Sequence, residues 1–275
     1  MDRISVLQFQ EFKREHRKIV AITAYDAPFA KIMEEAGADL VLVGDSVGMA
    51  VHGRPDTLSV TMEEMILHGR SVASAITRPL VAIDMPFMSF QISKESAVEN
   101  AGRLVRETGA QAVKVEGGVN IAPAIHAIAE AGIPIIGHVG LMPQSVHQIG
   151  GYKTQGMTAD SAKTIMEDAL AVESAGAFMV VLEAVPADLG RKISEALKIP
   201  VIGIGAGPHC DGQIMVMHDM LGLSTGRLPR FVKAYANLHE QAVDSVRRYA
   251  AEVRSGAYPS DEHSYHAKED KSKGS

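Results

Sequence analysis

Four short apolar runs in this chain end on a carboxylate, and that repetition constrains the fold more than any other feature. They are Leu40-Val41-Leu42-Val43-Gly44-Asp45, Leu80-Val81-Ala82-Ile83-Asp84, Ala112-Val113-Lys114-Val115-Glu116 and Met179-Val180-Val181-Leu182-Glu183. Residues two apart on a strand point to the same face. Lys114 and Glu116 therefore share one side, while Val113 and Val115 bury the other. One such run alone reads as an edge strand with a solvated, salt-bridged face. Four of them point to a single site gathered at one end of a sheet.

Helix-to-strand junctions repeat as well: Glu35-Ala36-Gly37-Ala38, Glu107-Thr108-Gly109-Ala110, Glu130-Ala131-Gly132-Ile133 and Ser174-Ala175-Gly176-Ala177. Each places a glycine where a left-handed helix cap turns the chain back into a strand. The pattern predicts strands over 18–25, 39–45, 80–84, 112–116, 134–138, 178–183 and 200–205, with a weaker eighth over 214–217. Helices are expected over 27–35, 61–75, 93–107, 121–130 and 160–174, with a Gly/Pro-rich loop from Gly48 to Pro55. Residues 1–18 read as a helical arm with Val6, Phe9 and Phe12 on one face. A helix over 230–254, with Phe231, Tyr235, Leu238, Ala242, Val246, Tyr249 and Val253 on one face, is expected to close the fold.

Eight strands alternating with helices over about 235 residues have the rhythm of an α/β chain folded as a (β/α)8 TIM-type barrel. The expectation is one domain over 1–254 and a polar tail over 255–275. An open doubly wound sheet would carry a glycine-rich fingerprint after its first strand. Here that position reads Thr23-Ala24-Tyr25-Asp26-Ala27-Pro28.

Charge and cysteine content narrow the partners. A formal net charge of −6 over 275 residues, with no Lys/Arg cluster, argues against non-specific nucleic-acid binding. One cysteine, Cys210, excludes an internal disulfide and suits a reducing compartment. The first residues are too polar for a signal peptide, and no run approaches the roughly 18 apolar residues of a membrane span. A cytoplasmic protein with neither a nucleic-acid nor a membrane partner is expected.

In such a barrel the chemistry sits at the C-terminal mouth. The strand assignments bring Asp26, Asp45, Asp84, Glu116, His138 and Glu183 there in turn. Crowded carboxylates repel and take up protons unless a cation neutralises them. Oxygen donors without cysteine favour a hard ion such as Mg2+. Asp45, Asp84 and Glu116 come from three neighbouring strands and can share one ion. Asp26, with Pro28 shortly after, fits a helix N-cap equally well.

Lys114 is either a counter-ion to the acids, a cation for a substrate carboxylate, or a Schiff-base nucleophile. Its acidic neighbours favour the electrostatic role. His138 reads as a hydrogen-bond donor to substrate, and Glu183, on the sixth strand, is free to act as general base or acid. Gly203-Ile204-Gly205-Ala206-Gly207 follows the seventh strand, where many barrels hold phosphate, although glycines there also serve a tight turn. A divalent ion, a fixed ammonium and a separate base suit conversion of a 2-oxo acid into a metal-stabilised enolate that attacks an electrophile. The residues themselves leave the partners of that aldol-type reaction open.

The same residues resemble the ketopantoate (3-methyl-2-oxobutanoate) hydroxymethyltransferase family from about Thr23 to Gly222. The resemblance is carried by Thr23-Ala24-Tyr25-Asp26, Gly44-Asp45-Ser46-Val47-Gly48, Asp84-Met85-Pro86-Phe87 and Val113-Lys114-Val115-Glu116-Gly117-Gly118. Gly137-His138-Val139-Gly140-Leu141-Met142-Pro143-Gln144, Gly203 to Gly207, and Asp211-Gly212-Gln213 continue it. It implies Mg2+-dependent transfer of a hydroxymethyl group from 5,10-methylenetetrahydrofolate to 3-methyl-2-oxobutanoate, giving 2-dehydropantoate for pantothenate and coenzyme A biosynthesis. It further implies Asp45, Asp84 and Glu116 around the metal, Asp45, Ser46, Asp84 and Lys114 on the oxo acid, Glu183 as proton acceptor, and a homo-oligomer, commonly a decamer. Met88 and Phe90 depart from the family, which often has Gly or Tyr in that loop.

Two rival functions remain at the sequence level. One is a lyase or mutase of the phosphoenolpyruvate mutase and isocitrate lyase group, whose lyase branch carries a catalytic cysteine in a loop. Cys210 falls in the wrong place for that. The other is a non-catalytic barrel that binds an anionic metabolite, against which Glu183 speaks.

Overall fold

Eight parallel strands close into a barrel in the computed structural model, which describes residues 3–226 and 228–267. They are β1 (Ile19–Thr23), β2 (Leu40–Val43), β3 (Leu80–Asp84), β4 (Ala112–Glu116), β5 (Ile135–Gly140), β6 (Met179–Glu183), β7 (Val201–Ile204) and β8 (Gly212–Met215). Each pairs with its neighbours in sequence, and β8 pairs back onto β1. The helices are α1 (Val6–Arg14), α2 (Ala27–Glu35), α3 (Val47–Ala50), α4 (Met62–Ala73), α5 (Lys94–Thr108) and α6 (Ala122–Glu130). They continue with α7 (Val146–Ile149), α8 (Ala159–Ser174), α9 (Ala187–Ala196), α10 (Met217–Met220) and α11 (Leu238–Ser255).

Strand alternation divides the core into two layers. Outward residues such as Val41, Val81, Val113, Val115 and Val180 pack under the surrounding helices. Inward residues, among them Ile19, Leu40, Leu80, Ala112, Ile136 and Ile202, fill the barrel. The inner layer also holds Phe9 and Phe12 of α1, with the Phe9 ring 6.3 Å from that of Phe178. Burying an aromatic or aliphatic side chain contributes roughly 1.5–3 kcal/mol, so α1 is a hydrophobic plug and not a loose arm. Lys13 of α1 reaches Asp211 at 2.7 Å, and Arg17 covers the Phe12 ring while pairing with buried Asp39. With the N-terminal end of the barrel stoppered, the C-terminal mouth is the open end.

Four expectations need correction. The strand expected over 18–25 stops at Thr23, because Asp26 turns the chain into α2 and accepts the Phe29 N–H at 2.9 Å. The eighth strand lies two residues earlier than expected, beginning at Gly212. A Cβ there would stand 2.4 Å from the Ile19 carbonyl oxygen, so only glycine lets β8 close on β1. No helix is expected over Ala187–Ala196, yet α9 forms there. Its interior Gly190, which costs about 1 kcal/mol against alanine, weakens the local signal.

The last helix begins at Leu238, not at 230, and none of its residues is buried. It therefore does not close the fold, although its apolar face exists: Val246, Tyr249 and Val253 are all exposed. Along the outer wall at β1 and β8, Val20 is exposed beside a cavity of about 540 Å3 lined by Lys18, Cys210, Gln213 and Phe231. Of the polar tail, residues 255–267 are exposed and residues 268–275 lie outside the described residues.

Candidate active site

The charged groups inside the barrel gather at the mouth through strand register. Asp84 at the end of β3 is level with Lys114 on β4, and Glu116 at the end of β4 is level with His138 on β5. Side chains two apart on β4 point inward together, so Lys114 and Glu116 share the interior. Lys114 Nζ stands 2.9 Å from Asp84 Oδ1 and 3.7 Å from Glu116 Oε1. His138 reaches Glu116 Oε1 with Nδ1 at 3.4 Å and Glu183 Oε2 with Nε2 at 3.2 Å. Asp45, Asp84, Lys114, Glu116 and His138 are all buried.

Asp45 and Ser46 follow β2 at the start of α3. A Cβ at Gly44 would lie 2.6 Å from Ser46 Oγ, so a side chain there would push the Ser46 hydroxyl aside. Asp45 donates its backbone N–H to Asp84 Oδ2 at 3.0 Å, which ties the β2 and β3 ends together. The Ser46 hydroxyl shares a 2.8 Å hydrogen bond with the buried Tyr25 hydroxyl. Glu183 ends β6 on the far side of His138 and is more open than the others. Ala184 after it takes a left-handed φ of 49°, a strained conformation of the kind that accumulates at functional sites.

Gln144, which the sequence argument assigns no role, links the acids. Its backbone N–H donates to Glu116 Oε2, and its side-chain amide donates to Asp45 Oδ2, both at 2.9 Å. Tyr25 is the second group missed. The sequence pattern places it inside the first strand, over 18–25, and a neutral amide beyond the fifth strand stands out in no charge pattern.

The electrostatics follow from burial and proximity. Burial, then the negative charges of Asp84 and Glu116, push the Asp45 carboxyl well above the usual range. Burial also raises Asp84, with Lys114 pulling it back. Burial alone would raise Glu116, but His138, Lys114 and the Gln144 N–H outweigh it and hold this carboxyl below its ordinary value. Lys114 is desolvated, yet three acids keep its ammonium protonated. Burial and Lys114 press His138 down, but Glu116 and Glu183 raise it to about 9. Its Nδ1 also lies 3.4 Å from Lys114 Nζ, whose positive charge opposes protonation of the ring.

Two buried polar atoms at the mouth make no hydrogen bond: Asp84 Oδ1 and His138 Nε2. Each has an ionic neighbour at short range but misaligned for hydrogen bonding. Among the described residues no group of three or more His, Cys, Asp or Glu side chains is arranged so that together they could hold a metal ion. The donor chemistry nonetheless fits a hard ion that keeps several of its waters. An acceptor oxygen on Asp84 lacks a hydrogen bond, and a crowd of acids drives Asp45 toward protonation, which a dication would reverse.

Two sequence candidates fall outside this cluster, as does the one cysteine. Asp26 caps α2. Gly205 and Gly207 line the outer-wall cavity with Gly212 and Phe231. Cys210 is buried, and burial raises its thiol to about 11, which makes it a poor nucleophile.

Comparison with known proteins adds the lineage. A sequence model described as ketopantoate hydroxymethyltransferase matches residues 3–261. A 3-methyl-2-oxobutanoate hydroxymethyltransferase of Thermoanaerobacter sp. (strain X514) is 52% identical over 264 residues, covering 96% of each chain. One of the same name from Pelobacter propionicus is 51% identical over 263 residues, covering 96% of this chain and 97% of that one. Among solved structures, a phosphonopyruvate hydrolase complexed with oxalate and Mg2+ superposes with a TM-score of 0.61 at 16% identity, covering 94% of this chain and 93% of its own. A 2,3-dimethylmalate lyase of the PEP mutase/isocitrate lyase superfamily superposes with a TM-score of 0.59 at 15% identity, covering 94% and 91%. At those identities the solved structures speak to the fold alone.

Proposed function

The chain belongs to the ketopantoate hydroxymethyltransferase family, and from that membership we propose that it transfers a hydroxymethyl group from 5,10-methylenetetrahydrofolate to 3-methyl-2-oxobutanoate. The product is 2-dehydropantoate, in pantothenate biosynthesis. The observation that supports the chemistry is the mouth cluster, in which Lys114 and His138 stand among Asp84, Glu116 and Glu183, with Asp45 tied to Asp84.

Asp45, Asp84 and Glu116 would hold Mg2+, which when bound polarises the keto carbonyl of a chelating 2-oxo acid and so acidifies the adjacent carbon. Lys114 is the fixed cation for the oxo acid's negative charge, and its acids keep it from becoming a nucleophile. Ser46, oriented by Tyr25, offers a hydroxyl at the same place. Glu183 accepts the C3 proton, and the electron pair of that C–H bond moves toward the C2 carbonyl. Water cleaves both carbon–nitrogen bonds of the folate's methylene bridge, its two protons going to the nitrogens of tetrahydrofolate and its oxygen staying on the one-carbon unit at the formaldehyde level. The nucleophilic C3 carbon attacks that carbon, a C–C bond forms as the C=O π bond opens, and the oxygen takes up the proton removed from C3 to become the hydroxymethyl group. His138, charged and with Nε2–H lacking an aligned partner, is the donor on the Glu183 side.

A second copy of the chain is the partner that covers the apolar face of α11, so the enzyme works as a homo-oligomer. Its lone, partnerless cysteine suits the cytoplasm. Among the described residues no helix is long and apolar enough to cross a membrane.

The assay is formation of 2-dehydropantoate from the two substrates by the full chain. Turnover should stop with excess chelator, return with added Mg2+, and fall by at least about a hundredfold in Asp84→Asn. Undiminished turnover in chelator refutes the metal-dependent reading.

A further inference from the structure

We infer that Gln144 is a positioning residue that orients Asp45 and Glu116 toward the divalent ion and fastens two mouth loops to that point. The inference rests on the metal-dependent reading above. Gln144 lies in a single 3-10 turn, Pro143–Ser145, directly after β5, and its side chain is buried. From there it touches the ends of three other strands. Its backbone N–H donates to Glu116 of β4, and its side-chain Nε2 donates to Asp45 beyond β2 and to the Met85 carbonyl beyond β3, each at 2.9 Å. Its Oε1 accepts from Gln91 Nε2, in the loop after β3, at 3.2 Å.

These partners decide the orientation of the amide. A primary amide has two N–H donors, and both have an acceptor here, a carboxylate and a carbonyl. Turning the amide over would aim its oxygen at those two acceptors, leaving repulsion where there are now two hydrogen bonds. The Gln91 contact favours the same orientation from the other end.

The neutrality of the group matters as much as its reach. Among the described residues no cation pairs with Asp45, whereas Lys114 serves Asp84 and Glu116. A lysine in place of Gln144 would neutralise Asp45 and compete with a bound ion. An amide fixes the carboxylate's direction while leaving its charge for a cation. Outer hydrogen bonds of this type typically contribute a factor of 10–100 in metal affinity.

The test compares the full-length wild type with Gln144→Met, which keeps the length and removes both N–H donors. Gln144→Asn is the second variant, since it keeps an amide too short to span the gap. Both retain the backbone N–H to Glu116. Each is titrated with Mg2+ alone by isothermal calorimetry, and its thermal midpoint is recorded without metal. The expected result is Mg2+ binding weakened by about 10- to 100-fold in both folded variants. In turnover assays the Mg2+ concentration needed for half activation should rise, with a smaller loss of rate at saturating Mg2+. If Gln144→Met does not fold, Gln144→Asn decides by the same readings. Mg2+ affinity within about twofold of wild type, far below the 10-fold minimum, overturns the inference even if the midpoint drops, because a purely structural role moves only the midpoint. A wild type that binds no Mg2+ refutes the metal-dependent reading itself and the inference with it.

Discussion

At the scale of single residues the account turns on Lys114, whose ammonium is buried between acids of two strands. Removing one member of a buried charge cluster leaves the others uncompensated, at a cost of about 3–5 kcal/mol. Lys114→Met should therefore lose about that much stability in urea unfolding without metal. Adding Asp84→Asn should recover part of the loss, since it removes the stranded charge. A Lys114→Met protein as stable as wild type would show that the cluster is not electrostatically tight. Lys114, Glu116, Asp84 and Glu183 were legible in the sequence because a charge inside an apolar run is conspicuous, and period-two alternation says which charges share a face. Gln144 and the Tyr25–Ser46 pair were not, because their meaning lies in contacts between segments far apart in the chain. Asp26 was legible only as a choice between the mouth and a helix cap, and the structure takes the cap, as Pro28 shortly after it had suggested.

At the scale of elements the strands and most wall helices followed from hydrophobic periodicity and glycine caps, while the short helices of the mouth did not. α3, α7 and α10 each have four residues, too few for a 3.6-residue period to register. The start of α4 carries a prediction of its own. Thr61 and Glu64 form a capping box, and Arg54 from the preceding loop pairs with the same Glu64 carboxylate. That Arg54 hydrogen bond, then the Thr61 contacts, outweigh partial burial and hold Glu64 at about 2, below its ordinary 4.5. A depressed carboxyl stabilises the fold fully above its unfolded value and loses that contribution as pH falls through the folded one. The stability difference between wild type and Glu64→Gln should be constant above about pH 5 and vanish as pH falls from about 4.5 to 2. Urea unfolding across that range measures it. A difference that does not change with pH would mean the carboxylate contributes nothing as an ion.

At the scale of the whole molecule the closed barrel was expected from eight alternations, and the fate of the last helix was not. An amphipathic pattern states that a helix will bury one face; it does not state in which chain. α11 carries the pattern over Val246, Tyr249 and Val253, yet in this chain the face is bare. Light scattering coupled to gel filtration should find the wild type as an oligomer, and Val246→Asp with Tyr249→Asp should lower its mass. A monomeric wild type, or an unchanged mass in the double variant, would remove α11 from the assembly.

The central claim is that the mouth cluster takes a proton from C3 of a small 2-oxo acid, with Glu183 as the base. Proton NMR of 3-methyl-2-oxobutanoate in D2O, with the full chain and Mg2+ but no folate, measures that step alone. The account predicts exchange of the C3 proton by the wild type and a loss of roughly a hundredfold or more in Glu183→Gln, with oxo-acid binding retained. Exchange at the wild-type rate in Glu183→Gln, or none with the wild type, would contradict it.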